Sequence, residues 1–226
     1  MFAYADAARV LGRPAEVVDT EFAVVDLETT GFSPARGDRI LEIGVVRMLG
    51  TGEVLREWTT LVNPDRSVGA AHVHRITPAD VVGAPRFADV AVELAGLLAG
   101  TVVVAHNASF EQRFLEAEFL ACGMTPPMLP ALCTMRLAKA SGLPLADHRL
   151  GTCCAHFGLD FPDAHAALAD ARVTARLLPL LLAGAGTRRL GLPVPPARSP
   201  EPGPTGVGVR AGRSPLKPRR GFAPVG

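Results

Sequence analysis

Hydrophobic and polar positions through residues 22–28, FAVVDLE, suit a strand, in which side chains two apart share a face. Asp26 and Glu28 then lie together, while Ala23, Val25 and Leu27 enter a core on the other side. Thr29-Thr30-Gly31 ends the run, and a loop follows over residues 33–38. Residues 40–48 and 54–62 read as two more strands, linked through Gly50 and Gly52; such short links predict a three-stranded antiparallel meander. Asn63-Pro64 breaks it. After an irregular stretch at 69–87, Phe87, Val90, Leu94, Leu97 and Leu98 recur at helical spacing, Gly100 stops the helix, and 101–105 form a short apolar strand. A second helix begins near Ser109, where Gln112 completes a capping-box pattern and Phe110, Phe114, Ala117 and Ala121 line one face. A fifth strand at 128–133 precedes helices near 149–157 and 164–182, the last striped by Leu168, Ala171, Ala175, Leu178 and Leu182. A short helix over 6–11 is expected before the first strand. This order predicts an α/β fold: a mixed sheet, the meander plus further strands, flanked by helices.

The 226 residues, 48% apolar, fit one domain with appendages: an N-terminal extension at 1–20, a domain at 21–183 and a tail at 184–226. The tail holds nine Pro and nine Gly, too few large apolar residues to offset ordering entropy, and is expected to be disordered. The net charge of +1 is uneven: beyond residue 183 eight basic residues face the single acid Glu201, so the tail carries +7 and the remainder −6. A net-acidic body suits a knot of carboxylates awaiting a cation, and the tail can attract phosphate backbone. No apolar run reaches the ~18 residues of a membrane span, and the N-terminus lacks an apolar core behind a basic start, so a cytoplasmic location is expected. Cys122, Cys133, Cys153 and Cys154 lack zinc-site spacing and read as small core residues.

Four stretches carry the chemistry. Asp26 and Glu28 side by side repel unless a cation or proton lies between them, and a hard divalent metal is the natural occupant; a solvated edge strand is the alternative. In AHNASFEQRFL, a buried strand delivers His106 and Asn107, and Glu111 falls in the first helical turn, where the helix dipole alone could account for it. In Asp163-Ala-His165-Ala-Ala-Leu-Ala-Asp170, residues five apart on a helix stand about 140° from each other. His165 and Asp170 therefore converge only if His165 precedes the helix. His72 and His74 would share a face only in an extended segment.

Together these stretches resemble the DEDDh group of 3′→5′ exonucleases, the DnaQ-like proofreading family. VVDLETTGF is similar to its first motif, HVHRITPADVVGAPRF to its HGIT…V…AP.F segment, AHNASFEQRFL to HNA.FD..FL and HAALADARVTARLL to H-x4-D. The resemblance spans about residues 21–182 and implies an RNase H-like fold. It also implies a metal-dependent 3′→5′ exonuclease of proofreading or repair type, acting on single-stranded or frayed ends; the resemblance does not settle DNA against RNA, since relatives handle both, and DNA is the favoured substrate here. It makes Asp26, Glu28, Glu111 and Asp170 ligands of two Mg²⁺ or Mn²⁺ ions and His165 the general base, imidazole being the side chain that titrates near neutrality. Leu27, Thr29, Thr30, His74 and His106 are implied to hold the terminal nucleotide, with Phe32 either a wedge against a base or a core residue. The expected partners are single-stranded DNA or RNA 3′ ends, with no membrane; association with a DNA polymerase subunit and a free-standing repair or recycling nuclease are the two alternatives left open. Two positions depart from the pattern: Glu111 stands for Asp, and Arg75 for Gly. The alternatives are a catalytically weakened module that binds nucleic acid or a polymerase, an RNA-processing exonuclease of the same family, and an endonuclease or resolvase on the same fold.

Overall fold

Neighbouring valines divide the core in two. In the computed structural model, which describes residues 2–4, 14–161, 165–186 and 189–191, Val24, Val46 and Val104 pack into one apolar cluster. Val25, Val45 and Val103, one residue away along the same strands, pack into another. That is the period-two consequence of a strand buried on both faces.

The chain runs β1 (Phe2–Tyr4), β2 (Pro14–Glu16), β3 (Glu21–Thr29), β4 (Ile40–Leu49), β5 (Val54–Leu61), α1 (Ala71–His74), α2 (Pro78–Val81), α3 (Phe87–Leu98), β6 (Val102–Ala105), α4 (Ser109–Ala121), β7 (Leu129–Cys133), α5 (Thr134–Ala140), α6 (Leu150–His156), α7 (Ala167–Gly184) and β8 (Arg189–Gly191). Six strands form a mixed sheet in the order β1-β7-β6-β3-β4-β5. β3, β4 and β5 pair antiparallel, and β6 joins β3 in parallel. On one face α3 and α4 contribute Phe87, Leu94, Phe114 and Phe119 against Ala23, Val25 and Leu27. On the other, α7 lays Ala171, Ala175, Leu178 and Leu182 against Phe22, Val24, Val46 and Met48, the stripe expected from its spacing. Burying each large apolar side chain contributes roughly 1.5–3 kcal/mol. No helix among the described residues is long and apolar enough to cross a membrane.

The meander, the α/β order and the helical faces match the expectation, but several details do not. Residues 2–4 pair with β7 at the sheet edge, and β2 pairs antiparallel with β8. Short strands thus lie outside the expected bounds of 21–183 at both ends, at Phe2–Tyr4 and Pro14–Glu16 and at Arg189–Gly191. Three-residue strands are too short to carry a readable period. The helix expected at 6–11 and the rest of the tail lie outside the described residues. α5, and the single-turn helices α1 and α2 within 69–87, were not anticipated. The Ser109–Gln112 capping box does not form. Asn107 already turns the chain at φ 78°, Ala108 is the cap with helical backbone, and Ser109 lies inside the first turn, its hydroxyl donating to Asn107 Oδ1.

A nearly buried ion pair ties α4 to the start of β4. Glu118, 3% exposed, accepts Arg39 Nε–H and Nη2–H, each at 2.7 Å, and the Ile40 N–H at 3.2 Å. Arg39→Ala would leave that carboxylate without its counter-charge. Discounted for the partly exposed guanidinium, the loss is about 2 kcal/mol. A fall in Tm of about 4–8 °C in a thermal melt is the expected outcome; an unchanged Tm would show that the clamp carries little.

Candidate active site

The turn of strand direction at β3 assembles the site. Antiparallel β4 begins beside the end of β3, so Glu42 stands opposite Glu28 and Gly44 opposite Asp26. Parallel β6 runs the same way as β3 and releases the chain through His106 and Asn107 into α4, which brings Glu111 to the same end. α7 crosses the sheet at Gly44, where an added Cβ would lie 2.4 Å from the Ala167 carbonyl carbon. No other residue leaves room for this approach, which sets Asp170 over the acidic pair. Ahead of the helix His165 adopts φ 70°, a left-handed conformation costing a non-glycine residue about 1–2 kcal/mol. Its backbone N–H donates to Asp170 Oδ1 at 3.2 Å.

Ligand atoms of Glu28, His165 and Asp170 all lie within 4.8 Å of one another. Asp26 keeps some accessible surface yet is enclosed by protein. Burial holds its carboxyl well above the usual range, and Asp170, Glu111, Glu28 and Glu42 add their repulsion in that order. Glu28 is pushed up to about 8 by burial, then by Asp170 and Glu42. Asp170 rises to about 7 through burial, opposed by the His165 N–H bond, with Glu42 raising it further. Glu111, 3% exposed, is lifted to about 8 by burial, against the pull of its own backbone N–H and of Arg113. Its Oε2 has no hydrogen-bond partner. A buried carboxylate oxygen left without a partner is costly, and oxygen donors from four carboxyls with one imidazole suit a hard divalent cation. The residues present fit a metal centre.

Asp26, Glu28, Glu111, His165 and Asp170 are thus brought together, and the dipole-only account of Glu111 does not describe a side chain this buried. Asp163 lies outside the described residues. The five residues expected at the nucleotide have the following surroundings within the protein. The Leu27 side chain belongs to the core beneath α3 and α4, as its strand parity requires. The Thr29 hydroxyl donates to Gly31 O at 2.6 Å. Thr30 is buried, its Oγ1 accepting the Arg39 N–H at 3.1 Å. His74 Nδ1 accepts the Ile76 N–H at 3.1 Å, which leaves Nε2 to donate to Val68 O at 3.1 Å. His106 Nε2 donates to His148 O at 2.8 Å, and Nδ1 faces the Thr134 hydroxyl at 3.0 Å. Burial lowers the pKa of both imidazoles, only partly offset by these carbonyls, so they are neutral braces of the surrounding loops. His72 is exposed on α1 while His74 is buried, which separates that pair. Phe32 is 84% exposed and is no core residue; the loop presenting it is pinned by Asp38, which accepts the Ser33 N–H at 3.1 Å. Arg75 takes φ 60° as the C-cap of α1, the left-handed geometry that glycine adopts without strain. Glu42 was not singled out in the sequence: one acid in an apolar strand shows its role only once its register against Glu28 is known.

Residues 23–178 match the exonuclease family RNase_T. The DNA polymerase III subunit epsilon of Treponema pallidum is 37% identical over 166 residues, covering 72% of this chain and 76% of that protein. The DNA polymerase III subunit epsilon-like protein of Rhodobacter capsulatus is 39% identical over 171 residues, covering 72% of this chain but only 24% of its own length. The fold is similar to that of Escherichia coli exonuclease I crystallised with a dT13 oligonucleotide, with a TM-score of 0.68 at 19% identity, over 74% of this chain and 42% of that one. A mixed sheet that gathers these acids and a matching family over most of the domain lead to one conclusion: the chain belongs to the DnaQ-like family of 3′→5′ exonucleases.

Proposed function

We propose that this protein removes nucleotides one at a time from the 3′ ends of single-stranded or frayed DNA, using two Mg²⁺ or Mn²⁺ ions. The observation that carries the reading is the convergence of Glu28 and Asp170 on His165, beside an enclosed Asp26 that feels both of those acids and Glu111, the last with an unpartnered buried oxygen. Asp26, Glu28, Glu111 and Asp170 would hold the cations. When bound, these would neutralise charge on the attacking and leaving oxygens and make the attacking water more acidic. His165, exposed ahead of α7, takes the water's proton on its ring, while the bond from its backbone N–H to Asp170 keeps the two residues in step. DNA is favoured because relatives are named as polymerase III subunits; association with a DNA polymerase subunit follows the same support.

The test is digestion of matched 5′-labelled DNA and RNA oligonucleotides with Mg²⁺ or Mn²⁺, with Asp26→Ala as control. A ladder shortening from the 3′ end, halted by a 3′-terminal block, is expected, with DNA consumed faster than RNA. Internal cuts, or no shortening of either polymer with either metal, would overturn the reading. Faster loss of RNA would move the substrate to that polymer.

Phe32 is the stacking surface for a terminal base in this scheme. An exposed aromatic on a braced loop, four residues beyond Glu28 in the chain, offers a face to any base, worth roughly 1–3 kcal/mol. Phe32→Ala should raise KM for a short oligonucleotide about tenfold with kcat little changed, measured under steady-state conditions.

A further inference from the structure

Glu42 has no part in the scheme above, yet it touches the element on which that scheme depends. It stands opposite Glu28 in the β3–β4 ladder, on the face over which α7 begins. Its Oε2 accepts the N–H of Ala167 at 3.1 Å, from a residue 125 positions away in sequence. Ala167 is the first residue of α7, and Ala166, the residue at the cap position, has extended backbone and an alanine side chain that cannot cap. The first N–H groups of a helix have no partner within it. Here one of them is satisfied from a neighbouring strand.

We infer that Glu42 is a positioning residue: its carboxylate caps α7 across the sheet and so sets where His165 and Asp170 stand relative to Asp26 and Glu28. The bonds around it form a short relay. Glu42 holds Ala167 N–H, Ala166 O accepts the Asp170 N–H at 3.0 Å, and Asp170 Oδ1 accepts the His165 N–H at 3.2 Å. Gly44, two residues along β4, removes the side chain that would hold this turn off the sheet. Contact and cap together fix both the height and the lateral position of the helix start. A cap supplied from within the helix would satisfy the same N–H group but would not tie α7 to the strand that faces Glu28. A carboxylate near a helix N-terminus is also favourably placed in the field of the helix dipole.

The inference rests on the proposed nuclease reading for its kinetic half only. Steady-state kinetics on a single-stranded oligonucleotide and amide hydrogen exchange along α7 would be compared for wild type, Glu42→Ala and Glu42→Gln. In Glu42→Ala, kcat should fall about 10- to 100-fold, the range found when a supporting partner of a metal site is lost, with KM within about twofold. The Ala167 amide should exchange at least about tenfold faster while those of residues 173–182 are unchanged, which separates a misplaced helix start from general unfolding. Glu42→Gln keeps an acceptor of the same length and should restore both the Ala167 protection and most of kcat. Unchanged Ala167 exchange in Glu42→Ala, unchanged kcat, or a Gln variant as impaired as the Ala variant would each overturn the inference. If wild type itself cleaves nothing, the nuclease reading fails, and Ala167 exchange still decides whether Glu42 is the cap.

Discussion

Asp26→Asn is expected to abolish 3′-terminal hydrolysis, by about 10³-fold or more, while making the metal-free protein more stable. The first half follows from where the residue stands. Asp26 is the acid repelled by all the others, with Asp170, Glu111, Glu28 and Glu42 each raising its pKa after burial has done so. A ligand at the centre of such a cluster is the one whose loss disrupts every bound cation. The second half follows from the same crowding. Asparagine has nearly the same shape and carries no charge, so it removes repulsion without opening a cavity, and the backbone at Asp26, paired with Gly44 of β4, has no reason to move. A chelated sample should therefore melt a few degrees higher than wild type at pH 8, as when a strained functional residue is replaced by a neutral one. Activity retained within tenfold would remove Asp26 from the centre of the site.

The second large effect is on stability against pH. In the folded chain Glu28 and Glu111 titrate at about 8 and Asp170 at about 7, whereas in an unfolded chain such groups titrate near 4. Between these values the folded state holds protons that the unfolded state has released, so stability falls as pH rises. The contribution is fully present below about pH 4, is lost progressively to about pH 8, and is flat above. With chelator present, Tm should drop by about 5–10 °C from pH 5 to pH 8. Mn²⁺ binds the deprotonated acids and should raise Tm much more at pH 8 than at pH 5. Glu111→Gln separates the causes: one buried titrating group disappears, so the slope in chelator becomes shallower while the gain from Mn²⁺ shrinks. A Tm independent of both pH and metal over this range would mean that the acids do not share a site.

Much of this was legible in the sequence because it depends on short-range periodicity. Side chains two apart in β3 had to separate Asp26 and Glu28 from Leu27, and the five-residue spacing of His165 and Asp170 required the histidine to stand outside the helix, where α7 beginning at Ala167 leaves it. What escaped depends on contacts distant in sequence. The bonds that occupy His74 and His106 come from turns whose shapes no local pattern encodes. Glu42 looked like any acid in a strand until its register placed it against Glu28 and beneath Ala167. The nucleotide contacts that the resemblance implies for Thr29, Thr30, His74 and His106 fall on side chains that also hold the loops in shape.

Glu111 and Glu118 lie seven residues apart on α4, within about 20° of the same direction around the axis. One looks into the acidic cluster and the other grips Arg39 at the base of the loop that displays Phe32. The loop that carries Phe32 and an acid of the cluster are thereby tied to a single helix. On the proposed reading that helix works as a ruler: it fixes the span between the last base and the bond to be cut, so that each cycle advances by one nucleotide.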